Sequence, residues 1–102
     1  MNIPPEQCKT LDEVRAGMDA LDREIIALFS KRVAFVKAAA KFKSSADAVA
    51  DPGRMNAVFA TRRAWAEQAG LDGAVIESLY RDLVAYCVFE EKKHWEKISD
   101  VS

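Results

Sequence analysis

The run from Thr10 to Lys43, TLDEVRAGMDALDREIIALFSKRVAFVKAAAKFK, decides the fold. Thr10-Leu11-Asp12-Glu13 opens it as a capping box, with Thr10 as N-cap and Glu13 reaching back three residues. Apolar side chains then recur at Leu11, Val14, Met18, Leu21, Ile25 and Leu28, and again at Phe35 and Ala39. Steps of three and four mark one face of a helix, and only Gly17 weakens the run, so one helix is predicted over about residues 11–43. Some 32 residues at 1.5 Å each give a rod of ~48 Å. A compact chain of this length has a radius of gyration of only ~13 Å, so the rod overruns any globule the chain could form alone. Its apolar stripe therefore calls for a second copy, and an intertwined homodimer is expected. The alternative is a hinge near Gly17 or Ser30 that breaks the run into two shorter helices.

Outward from this helix, Ser44 to Ala50 reads as a loop of small residues able to close over a ligand. Asp51-Pro52 supplies an N-cap followed by proline at the first helical position. A second helix is predicted over 52–69, with Met55, Val58, Phe59 and Trp65 as its apolar face and Gly70-Leu71 as a glycine stop. Asp72 caps a third helix, about 73–98, carrying Val75, Ile76, Leu79, Leu83, Val84, Cys87, Val88 and Trp95. The expectation is an all-α chain forming one domain over residues 1–102.

Composition narrows the function. Half of the 102 residues are hydrophobic, and 15 basic against 16 acidic side chains leave a net charge of -1, which argues against nucleic acid as a partner. No stretch is apolar enough to span a membrane, and Met1-Asn2-Ile3-Pro4-Pro5 lacks a secretory core, so a cytoplasmic location is expected. Cys8 and Cys87 with the single His94 have no metal-ligand spacing and offer no nucleophilic triad.

Two polar residues stand in apolar rows. Stepping from Leu28 by four and then three reaches Arg32 and Phe35, and Val84, Val88, Glu91 and Trp95 follow steps of four, three and four. A buried charge without a partner costs several kcal/mol, so Arg32 and Glu91 either pair with each other or meet a ligand. Lys43, eleven residues after Arg32, falls on nearly the same face. Arg54 sits in the first turn of helix two, where amide groups attract anions. Arg15 is seventeen residues from Arg32, ~25 Å along one helix. Only across an antiparallel dimer could the two approach; otherwise Arg15 is a solvated surface residue. Lys31, Lys37, Lys41, Arg62, Arg63, Lys92, Lys93 and Lys97 are assigned to solvated faces or local ion pairs. Cations without a nucleophile or metal fit catalysis by positioning and charge stabilisation, such as rearrangement or elimination of a flexible dianion.

The segments Val14-Arg15, Asp22, Lys31-Arg32-Val33, Lys41-Phe42-Lys43, Asp51-Pro52-Gly53-Arg54 and Cys87-Val88-Phe89-Glu90-Glu91 resemble the all-helical, type II chorismate mutases over residues 10–98. Phe35-Val36-Lys37-Ala38-Ala39, Trp65-Ala66-Glu67 and Gly70-Leu71-Asp72 are similar to the isochorismate-pyruvate lyases of salicylate and siderophore biosynthesis. The resemblance implies an intertwined dimer with two shared sites. Arg32, Lys43 and Arg54 of one chain and Arg15 of the other would bind a dicarboxylate substrate, isochorismate or chorismate, without a cofactor. Lys43 and Glu91 would act on the ether oxygen as the carbon-oxygen bond breaks, with Cys87 lining the pocket. Two departures stand out. Glu91 occupies a position often held by glutamine, and Met55 stands where the mutases carry an acidic residue for the ring hydroxyl. The second favours a lyase with secondary mutase activity over a dedicated mutase. A non-catalytic helical dimer is the third reading.

Overall fold

A computed structural model describes residues 3–100. Met1 and Asn2, part of the stretch read above for a secretory core, lie outside them. The described residues form three α-helices and no strand: α1 (Leu11–Ala39), α2 (Pro52–Gln68) and α3 (Gly73–Asp100), with single 3₁₀ turns at Pro5–Gln7, Ala40–Phe42 and Asp47–Val49. None of these helices is long and apolar enough to cross a membrane. The chain groups into two units, one ending at Ala34 and the other beginning at Phe35.

The first unit holds the Pro5–Gln7 turn and α1 as far as Ala34, and the last turn of α1 falls in the second unit. The start of α1 is a capping box with a shifted return: the Glu13 N–H donates to Thr10 Oγ1 at 3.1 Å, while Glu13 Oε2 accepts from the Lys9 N–H at 3.0 Å rather than from Thr10. The helix passes Gly17 and Ser30 without interruption, which disposes of the hinged alternative. No residue of α1 is buried. The apolar stripe is open to solvent along its length, with Met18 52% and Leu28 59% exposed.

In the second unit α2 and α3 pack as an antiparallel hairpin. Val58 and Phe59 of α2 meet Val84 of α3, with Met55, Tyr80 and Val88 packed around them. The N-terminus of α2 is capped as expected, the Arg54 N–H donating to Asp51 Oδ1 at 3.1 Å. Its end is a Schellman turn: Leu71 N–H donates to the Ala66 carbonyl at 2.8 Å, Gly70 N–H to that of Glu67 at 3.0 Å, and Gly70 takes φ +81°. Asp72 Oδ1 accepts from the Ala74 and Val75 amides at 2.9 and 3.3 Å and starts α3. At this corner the helices come so close that a Cβ on Gly73 would stand 2.8 Å from Arg63 Cγ and 2.9 Å from Glu67 Cγ. Glu77 ties the hairpin together, accepting from Arg63 at 3.1 Å and Arg81 at 2.9 Å. The hydrogen bond from Arg81, then that from Arg63, holds its carboxyl below the usual range.

The first helix ends earlier than periodicity predicts. Its α-form stops at Ala39, tightens through the Ala40–Phe42 turn, and leaves Lys43 extended at φ -98°, ψ 141°. Nothing local signals this, because Ala38 to Lys43 contains neither glycine nor proline. The cause is tertiary: both 3₁₀ turns pack against α3, burying Ala40 and Val49.

Candidate active site

Three residues of α3 fall at successive turns in the second unit. Cys87, Glu91 and Trp95 are spaced by four, so they share one face of the helix. Cys87 and Glu91 are both buried, at 3% and 7% exposure. Glu91 Oε2 is shut off from solvent with no hydrogen-bond partner, and the Lys43 Nζ lies 3.9 Å away. That separation is too long for a hydrogen bond and short enough for strong attraction. Burial pushes the Glu91 carboxyl above its ordinary value, and the Lys43 ammonium offsets only part of the rise. The direction of this shift was not readable from sequence.

Trp95 supplies the contact that sequence reasoning missed. Its indole Nε1–H donates to the Lys43 carbonyl oxygen at 3.0 Å. Read as one more apolar residue of the stripe, it carried a usable signal nevertheless: a partly buried tryptophan needs an acceptor for its N–H.

The other expected residues are placed as follows. Arg54 stands exposed in the first turn of α2. Its own amide is already engaged by the Asp51 carboxylate, so the expected attraction of that helix end for an anion is partly spent on the cap. Arg15 is exposed and Arg32 half-buried, both on α1 in the first unit. A single rod holds them ~25 Å apart, so one chain does not bring these two together. Met55 is half-buried against the hydrophobic cluster, where its thioether fills space and receives no hydroxyl. Among the described residues, no three histidine, cysteine, aspartate or glutamate side chains converge as a metal site.

A buried carboxyl beside a lysine gives this face of α3 a charged centre in an apolar row. The chain is 34% identical over 93 residues to the isochorismate pyruvate lyase of Pseudomonas aeruginosa, a match spanning 91% of this chain and 92% of that protein. It is 36% identical over 74 residues to the T-protein of Haemophilus influenzae, covering 72% of this chain but 20% of that longer protein. A family model described as chorismate mutase type II matches residues 14–92, within the span over which the motifs resemble such enzymes. The chain belongs to the chorismate mutase type II family.

Proposed function

We propose that the protein is a pericyclic enzyme acting on a chorismate-type dicarboxylate. The preferred reading is an isochorismate-pyruvate lyase, releasing salicylate and pyruvate, with chorismate mutase activity as a secondary function. The near full-length similarity to a lyase carries this reading. It is supported by Met55, which leaves an apolar group where a mutase would receive the ring hydroxyl.

In this proposal Arg32, Lys43 and Arg54 of one chain, with Arg15 of a second, hold the two carboxylates and the ether oxygen. Binding in the reactive conformer converts a flexible dianion into one poised for a concerted step. As the carbon-oxygen bond breaks, Lys43 donates to the oxygen that gains negative charge. Protonated Glu91 donates to the same atom, a role consistent with its raised pKa. The enolpyruvyl group leaves as pyruvate while a ring hydrogen moves to its methylene carbon, which balances the reaction without a cofactor or external base.

The homodimer belongs to the same proposal. The open stripe on α1 has the three-four spacing of a helix seam, and a second copy of the chain covers it while delivering Arg15. A dedicated chorismate mutase is the second reading, favoured by the family's own description.

A side-by-side assay separates the two. Salicylate from isochorismate, with prephenate from chorismate formed much more slowly, is the expected result. Fast prephenate with no salicylate would establish the mutase, and inactivity on both substrates would leave a helical dimer with structural charges.

A further inference from the structure

Lys43 is held at three points by its surroundings. Its amide donates to the Ala40 carbonyl at 3.1 Å, closing the 3₁₀ turn; its carbonyl accepts from Trp95; its ammonium stands 3.9 Å from Glu91. The last two contacts come from residues one turn apart on the same face of α3, about 6 Å along the axis. That interval is comparable to the reach of a lysine side chain from its own backbone. The helix therefore grips both the main chain and the charged end of one residue. No local structure does this otherwise, because Lys43 is the extended residue at which the chain leaves the turn, and Ser44 to Ala46 beyond it belong to no helix.

We propose that Trp95 is a positioning residue of the site: by holding the Lys43 carbonyl it fixes the main chain from which the lysine reaches, and so sets where the ammonium meets a bound dicarboxylate. This rests on the reading of Lys43 as a substrate contact. In this proposal Trp95 acts through Lys43 and not on the substrate itself. Its loss frees the Lys43 peptide to rotate, and the ammonium then samples positions away from the oxygen on which charge develops. Such a loss falls on the chemical step more than on binding, because the other cations still hold the carboxylates.

The test is single-turnover and steady-state kinetics on isochorismate for Trp95→Phe, Lys43→Ala and the double variant, each below its thermal midpoint. Trp95→Phe keeps an aromatic ring and removes the N–H. The expected result is a fall in kcat of about tenfold with KM changed less than about twofold, since small misplacements of a catalytic group have effects of this order or larger. In the Lys43→Ala background the same change should cost nothing further. A merely structural tryptophan would lower the melting temperature and leave kcat per folded site unchanged, and that outcome overturns the proposal. So does an equal further loss in the absence of Lys43. Wild-type turnover by Lys43→Ala would instead sink the underlying reading of the lysine. Should Trp95→Phe fail to fold, hydrogen exchange of the two indole N–H groups in the intact protein decides. Slow exchange at Trp95 relative to the exposed Trp65 is expected, and equal rates overturn the bond on which the proposal stands.

Discussion

Glu91 shows how one side chain can be anomalous in sequence and informative in structure. Placed in an apolar row, it is buried with an unbonded Oε2 and the Lys43 ammonium 3.9 Å away, and burial outweighs the lysine in setting its proton affinity. The native state thus holds this proton more tightly than the unfolded chain. Its contribution to stability is fully present below the ordinary carboxylate value and is lost as pH rises through the raised native value. Turnover should fall across the same window, because an ionised carboxylate cannot donate to an oxygen gaining charge. Glu91→Gln keeps a donor without a titration, so kcat measured against pH should flatten in this variant; an unchanged profile would remove Glu91 from the chemistry. The anomaly itself was legible, since helical spacing exposes a charge among apolar neighbours. Its neighbour at 3.9 Å was not legible from periodicity, which linked Lys43 to Arg32; only the family resemblance set Lys43 and Glu91 on one ether oxygen, and their proximity depends on the chain leaving the helix before Lys43.

At the level of elements, ends written in local chemistry were the readable ones. Thr10, Asp51 and Asp72 accept amide hydrogen bonds at the three helix starts, and Gly70 closes α2 in a left-handed conformation. The end of α1 was misread by a few residues because packing of the 3₁₀ turns on α3, rather than any turn residue, sets it. The α2–α3 corner holds a constraint of the same long-range kind. Gly73 has no unusual dihedral, yet an added methyl would collide with the Arg63 and Glu67 side chains, which form an ion pair at 3.5 Å. Gly73→Ala should therefore cost about 1–3 kcal/mol despite the higher helix propensity of alanine, the usual scale for overpacking. Chemical denaturation would register it, and a stabilised variant would show that the hairpin opens freely at this corner.

For the molecule as a whole, the long helix was legible and its covering was only inferable. A stripe of apolar residues spanning 29 positions has none of them buried by its own chain, and in the proposed homodimer it would form half of the interface. In the proposed dimer each site draws Arg15 from one chain and Lys43 from the other. Arg15→Ala and Lys43→Ala homodimers should both be nearly inactive, but after mixing, unfolding and refolding together they should regain about a quarter of wild-type activity, because half of the pairs are mixed and each mixed pair restores one site. No recovery despite verified exchange would mean that each site is built by a single chain. The bare face of α1 also bears on supply in the cell. If the proposed dimer is what completes its longest helix, the polypeptide stays open to proteolysis until it meets a second copy, and the rate of meeting scales with the square of its abundance. Halving synthesis would then remove more than half of the working enzyme, giving a gene-dosage response steeper than linear.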